Sequence, residues 1–437
     1  GLTLIETVIG IAVLAILSVS IYQGFSAVLD VLTASRVRAS AAAVATEQME
    51  LVRNIPYSQI GTVGGIPPGV IPPTTTATRE NMQFLVTTTI RNIDDPFDGT
   101  LGGAPNDSAP ADYKLVEVSV SCTTCEAGES FTFTGRAAPR ALETASTNGA
   151  LFVQVINASG QPVPGATVTV TNSAVSPAVN VTDSTDATGF LKLVDVPPAA
   201  QSYHIAVSKS GYSSDQTYAV SAQNPNPAKP DATVALQTIT QISFAIDRTS
   251  PVNLSSVTTA CAAVAGIPFQ IDGTKLIGTN PPLLKFSQAA TTDAGGLKNF
   301  PALEWDTYAL AFTSASYDLA GSIPLLPLAL APNTTVPVKA VMEPKAPRAL
   351  LVTATDAATG LPLSNTTVTI TGGAVNQTLA TGRGFLKQTD WSGGSGQDLF
   401  SDPAKYFDQD GNVAVSTPAG DLTLTSVATS TYAASGA

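Results

Sequence analysis

Few residues in this sequence are equipped for chemistry, and their spacing limits what they can do. The sole histidine, His204, lies in Tyr203-His204-Ile205-Ala206-Val207, a run with strand spacing and no second histidine to complete a metal site. It reads as a strand residue, and a serine nucleophile would have neither another base nor a Gly-x-Ser-x-Gly elbow. Cys122 and Cys125 flank Thr123-Thr124 at the end of an alternating segment. That spacing suits an intraloop disulfide in an oxidising compartment, with two free thiols or a metal as the alternatives. Glu126-Ala127-Gly128 does not signal the helix that a redox-active pair would open. Cys261, in the small apolar string Thr259 to Ala265, reads as a buried thiol. Two acidic groups could take calcium. Asp408, Asp410 and Asn412 have the opening spacing of a calcium loop but lack its distal glutamate, and Asp94, Asp95 and Asp98 share a loop with Asp107 and Asp112. Turn chemistry is the competing reading of both. No other metal or cofactor is implied, and the chain is not expected to be an enzyme.

Glu6 stands apart. It heads a run, Thr7 to Leu29, without a single charge, about 35 Å long as a helix at ~1.5 Å per residue. A carboxylate at the edge of hydrocarbon costs roughly 2–3 kcal/mol on insertion scales, so it calls for a partner. The helical pattern continues through Asp30, Arg36 and Arg38 to Ile55, where Pro56 stops it. In this second half Val37, Ala41, Val44, Leu51 and Ile55 share one face, and Arg36, Ser40, Glu47, Glu50 and Asn54 another. One helix thus has two environments. Its first half suits lipid or other copies of itself, and its second half a globular domain.

Composition sets the frame for these elements. The chain has 437 residues, enough for about three domains of ~150. Only 12% are charged, with 34 glycines and 31 prolines, a profile of β-structure with many turns. With 33 acidic against 21 basic residues, nucleic acid is an improbable partner. Few lysines and three cysteines fit an exported surface protein that does not depend on a disulfide framework.

The run Leu2-Thr3-Leu4-Ile5-Glu6 followed by an apolar helix resembles the N-terminus of type IV pilins and type II secretion pseudopilins. The resemblance implies that a prepilin peptidase cleaves after a glycine, here Gly1, that Leu2 becomes the methylated first residue, and that Glu6 pairs with the N-terminal amine of a neighbouring subunit. Gly1 is then either the last leader residue or part of the mature chain. Unlike many pilins, the chain has no proline before Pro56.

After the helix, residues 56–145 read as a small antiparallel sheet, the pilin head, following a Gly, Pro and Thr-rich loop from Gly61 to Thr78. Phe84 to Ile93 is one strand. Tyr113 to Cys122 is another, with Val116, Val118, Val120 and Cys122 on one face, and Phe131 and Phe133 mark a third. Beyond the head a pattern recurs. Ala150 to Val155, Gly160 to Ala166 and Thr167 to Thr171 return as Ala349 to Ala354, Gly360 to Leu363 and Thr367 to Thr371. A diverged middle copy opens at Ile242 to Ile246 and continues at Pro268 to Ile271. Each copy then has an Asp and Gly turn, at Asp186-Ala187-Thr188-Gly189, Asp293-Ala294-Gly295-Gly296 and Asp410-Gly411-Asn412. Proline-rich linkers are read at Asn224 to Pro227 and Glu343 to Pro347. The copies resemble the transthyretin-like or carboxypeptidase-regulatory-like β-sandwich, itself similar to the immunoglobulin fold.

The expected architecture is α+β and mostly β: helix 1–55, head 56–145, and three tandem sandwiches at 146–238, 239–345 and 346–437. The expected function is a structural pilin subunit of an extracellular type IV pilus-like filament, held in the cytoplasmic membrane before assembly. Its expected partners are copies of itself, the prepilin peptidase and pilus assembly machinery, and a surface or cell ligand. The alternatives are a low-copy minor pilin or tip adhesin, or a type II secretion pseudopilin. A chain cut from about Gly149 onward is expected to leave a foldable head.

Overall fold

The computed structural model describes residues 3–125, 130–139 and 145–345, together with strands Ala349–Thr353, Thr367–Gly372, Val375–Ala380, Phe385–Thr389 and Thr423–Val427. It has one long N-terminal helix and many strands in several sheets. The described chain divides into two compact units, residues 1–155, 162–207 and 231–244 in one, and 156–161, 208–230 and 245–437 in the other.

In the first unit, helix α1 runs Leu4–Arg53 without interruption. Pro56 lacks the N–H to continue it and restricts Ile55, and the chain passes into a 3-10 turn at Tyr57–Gln59. Val37, Ala41, Val44, Ala45 and Val52 form the buried stripe. Leu51, expected on that stripe, is 57% exposed. At ~100° per residue Val52 falls in line with Ala41 and Ala45, and Leu51 is turned away by one step. Ser40, read on the second face with Arg36 and Glu47, is buried too, because strands of the head reach α1 over more than one stripe.

The head is a four-stranded antiparallel sheet in the order β1 (Thr74–Arg79), β2 (Met82–Ile93), β3 (Tyr113–Cys122), β4 (Ser130–Ala137). Its α1-facing side contributes Phe84, Val86, Ile90, Val116, Val118 and Val120 to the common core. Strand β1 corrects the reading of Thr74 to Thr78 as loop. It pairs with β2 through a tight hairpin whose central residues, Glu80 and Asn81, both have positive φ. That turn is normally advertised by glycine, and here it is not. Lys114 is buried and its Nζ donates to the carbonyls of Tyr57 (2.9 Å) and Ile60 (2.6 Å), which pins the turn that follows α1. Burial pushes this ammonium below its usual pKa.

The same unit carries β5 (Gly149–Ile156), β6 (Thr167–Asn172), β7 (Val179–Ser184), β8 (Phe190–Val196) and β9 (Ala199–Ser208). One sheet has the order β9, β6, β7, with Ala232–Val234 on β9. The other places β5 between β8 and Ile239–Ala245. This corrects a domain boundary. Ile242 to Ile246 was read as the opening strand of the second sandwich, yet most of it completes the first pair of sheets, so that pair extends past 238 to about Ala245. The apolar alternation there is equally compatible with a first or a last strand, and only the pairing decides.

In the second unit, Ser250–Val257 lies between Leu297–Leu303 and Val336–Pro344, parallel to the latter, with Tyr317–Ile323 beyond. The facing sheet has the order Ser287–Thr291, Pro268–Gly273, Asp306–Phe312, Leu328–Leu330. Both contribute to one core, including Val252, Leu254, Phe269, Ile271, Tyr308 and Val338. Asn224 to Pro227, read as a linker, belongs to this unit. The buried Asn224 donates from Nδ2 to the Ile277 carbonyl at 3.0 Å, and Ala228 N–H donates to the same carbonyl at 3.0 Å. The prolines stiffen a docked loop there. Further on, Ala349–Thr353 pairs with Phe385–Thr389, and Thr367–Gly372 lies between Val375–Ala380 and Thr423–Val427. The Asp410-Gly411-Asn412 turn and the strand read after it lie outside the described residues.

The repeat is clearer in hydrogen bonds than in letters. Asp186 Oδ1 accepts the N–H groups of Thr188 (2.8 Å) and Phe190 (3.0 Å), and Asp293 Oδ1 accepts those of Gly295 (2.8 Å) and Leu297 (2.8 Å). Gly189 and Gly296 follow at φ +77° and +73°. A Cβ there would lie 2.7 Å from the carbonyl oxygen of Val155 or of Ser256, the residues whose N–H groups bond the two glycine carbonyls at 2.8 Å. Tyr203 and Tyr308 each donate a hydroxyl to a nearby backbone carbonyl, that of Pro197 (2.5 Å) and of Glu304 (2.8 Å).

Candidate functional site

The apolar half of α1 is the most conspicuous surface. From Leu4 to Leu32 its large apolar side chains are exposed on every face, among them Ile9, Leu14, Ile21 and Phe25 at 57%, 65%, 71% and 64%. Thr7, Ser18, Ser20 and Thr33 turn their hydroxyls back onto carbonyls one turn earlier, which removes their polarity from the surface. By length and composition this is a helix able to cross a membrane. Such an area of exposed hydrocarbon is unstable in water and must be covered by lipid or by protein. Glu6 lies in the first turns of this helix, but its side chain, like Gly1 and Leu2, is outside the described residues.

The remaining sequence candidates are dispersed. Cys122 and Cys125 are disulfide-bonded, Cα–Cα 5.6 Å, and close the end of β3. Cys261 is exposed, against the expectation of a buried thiol. It sits at φ +61° in a turn where its N–H donates to the Thr258 carbonyl at 2.9 Å, the place that Gly160 (φ +74°) holds in the first pair of sheets. A small apolar string there makes a turn tip instead of a core segment. His204 lies on β9 with Nδ1 3.1 Å from Asp231 Oδ1, partly exposed.

The acidic loop between β2 and β3 is used for turn chemistry. Asp94 Oδ2 accepts the N–H of Leu101 at 3.0 Å, Asp95 Oδ1 that of Phe97 at 3.2 Å, Asp107 Oδ1 that of Ala109 at 2.7 Å, and Asp112 Oδ2 that of Asp95. Among the described residues no three acidic, histidine or cysteine side chains are arranged to hold a metal ion. Asp94, Asp95, Asp107 and Asp112 thus shape the loop through its backbone N–H groups, the turn chemistry set against calcium at Asp94, Asp95 and Asp98. Asp408, Asp410 and Asn412 lie outside the described residues. Burial, aided by the surrounding aspartates, raises the carboxyls of both Asp94 and Asp112 above the usual range, although each accepts a backbone N–H that opposes the rise.

Sequence reasoning missed a cleft at the end of α1, about 620 Å³ in volume, lined by Val52, Arg53, Ile55, Val116 and Arg136 among others. No motif marks it, since its walls come from α1, the following turn, β3 and β4.

Residues 150–240 match the profile of the carboxypeptidase regulatory-like domain. No curated protein matches the chain. Among solved structures it is similar to the Bacillus anthracis TIE protein, at 13% identity over 78% of this chain and 71% of that one with a TM-score of 0.19. A Streptococcal ancillary pilin follows at 12% identity, covering 61% and 80%, TM-score 0.22. GBS52, the minor pilin of Streptococcus agalactiae, is 13% identical, covering 46% and 99%, TM-score 0.21. What is similar to the carboxypeptidase regulatory-like family is thus residues 150–240, the first pair of sheets after the head.

Proposed function

We propose that this chain is a structural subunit of an extracellular type IV pilus-like filament. The observation that carries the reading is the exposed apolar half of α1, continuous with a half that is locked into a folded head. A simple anchor needs only the first property. A helix that must carry a rigid head out of the bilayer and into a polymer needs both. On this reading residues 2 to about 29 of many copies pack together in the filament core, where hydrocarbon contact supplies cohesion. Glu6 pairs with the N-terminal amine of a neighbour, after a prepilin peptidase has cleaved next to Leu2. A buried carboxylate without that partner is costly, so pairing sets the axial register. The three tandem sandwiches read over residues 146–437 project outward and present surface to cells or substrates.

The test is the polypeptide content of sheared extracellular fibres. Recovery of this chain as their main component is the expected result, and its restriction to a lone membrane-tethered monomer refutes the proposal. Glu6→Ala is expected to enter the membrane normally and to yield few fibres; undiminished fibre yield would remove the docking role.

A further inference from the structure

We infer that the tip of the loop between β2 and β3 of one copy of this chain, with Phe97 at its apex, seats in the cleft at the end of α1 of a second copy. Phe97 is 96% exposed, more than any other large apolar side chain described, those of the bare helix included. The tip is shaped in advance: Asp95 Oδ1 accepts the Phe97 N–H, Asp94 Oδ2 accepts the Leu101 N–H, and Gly99 at φ +130° abuts the Pro105 carbonyl. A preformed knob pays little ordering entropy on binding, and exposed aromatics of this kind are where interface energy concentrates.

Charge selects the hole. Asp94, Asp95 and Asp98 flank Phe97, and no lysine or arginine occurs between Asn92 and Tyr113. The cleft offers the complement: apolar walls from Val52, Ile55 and Val116, and two guanidiniums, Arg53 and Arg136, with no aspartate or glutamate among its described lining residues. In a chain with 33 acidic and 21 basic residues, a site whose described lining carries two cations and no acidic residue stands out. Arg53 reaches Glu50 at 2.5 Å in a largely exposed pair, and Arg136 lies 5.0 Å from the Tyr113 ring centroid, so both keep donors to spare. The cleft is large enough for the phenyl ring with Pro96 and a flanking carboxylate. Phe97 is not in the cleft of its own chain, since almost nothing touches it. The contact joins two different surfaces, so it repeats head to tail and does not close by two-fold symmetry. It goes beyond the filament reading, because it concerns the heads and not the helices.

The experiment places the photocrosslinking residue p-benzoylphenylalanine at position 97, or separately at position 25, in the full chain reconstituted at high density in liposomes. From position 97 the expected product is an intermolecular adduct mapping to residues 52–57 or 135–138. Arg136→Glu is expected to cut that yield at least tenfold, and adding Asp98→Arg to restore it. The rescue is decisive, because loss alone could follow from a disturbed Tyr113 contact. Adducts that map elsewhere or only to lipid, or a yield indifferent to both charge reversals, overturn the inference. Crosslinking from position 25 without the cleft adduct overturns it while leaving helix packing intact; no protein adduct from either position overturns both.

Discussion

The guanidinium of Arg91 in β2 and the carboxylate of Asp183 in β7 meet in two parallel hydrogen bonds of 2.5 Å, joining the head to the first pair of sheets. The side chain of Asp183 is only 5% exposed, and Glu117 adds a third contact to Arg91 at 3.1 Å. Nearby, the buried Asn92 donates from Nδ2 to the Val194 carbonyl at 3.3 Å, and Asn180 N–H donates to the Gly64 carbonyl at 2.7 Å. The first pair of sheets is thus docked on the head and is not a pendant module.

Arg91→Ala is therefore expected to cost about 2–3 kcal/mol, less than the roughly 3–5 of a fully buried pair because Arg91 is partly exposed. Denaturant unfolding of the full chain measures it. The chain cut before Gly149, expected from sequence to leave a foldable head, is now expected to be markedly less stable, since it takes Asp183 from Arg91 and the Val194 carbonyl from Asn92; a truncated head as stable as the intact unit would contradict this.

Gly189→Ala and Gly296→Ala should each destabilise by more than the ~1 kcal/mol of left-handed strain, because the added Cβ also meets a carbonyl at 2.7 Å. Gly160→Ala has the same strain, with open space around the new methyl, and should stay near ~1 kcal/mol. Equal losses at all three sites, by thermal or urea unfolding, would show that contact at the hairpin is unimportant.

Asp94→Asn and Asp112→Asn are expected to raise the melting temperature at pH 7. Both carboxyls have folded pKa values above their unfolded ones, so ionisation destabilises the native loop and stability falls as pH rises through that window. Below the unfolded pKa of roughly 3.9 the wild-type groups are already neutral and the advantage should vanish. An Asn variant that is less stable at pH 7 would argue that the charges themselves are needed.

Cys261 should react with a maleimide in the native protein without reductant, while Cys122 and Cys125 should not. Mass spectrometry of the labelled peptides reads the outcome directly. Protection of Cys261 would restore the buried-thiol reading.

Features that repeat with a short period or depend on local sterics were legible in the amino-acid order. The charge-free run after Glu6 sufficed for an exposed apolar helix, the alternation of Val116, Val118 and Val120 for a half-buried strand, and Pro56 for the end of α1. The Asp186 and Asp293 turns were legible for the same reason, since each closes its hydrogen bonds within five residues. Features that depend on distant partners emerged only in the folded chain. Ile239–Ala245 became a last strand because β5 offered it a free edge, Val52 displaced Leu51 because the sheet covers that side of the helix, and Arg91 found Asp183 across a long stretch of chain. The cleft at Arg53 and Arg136 exists only where four separate segments meet. Periodicity tells which face of an element is apolar, but it does not say which neighbour will cover that face.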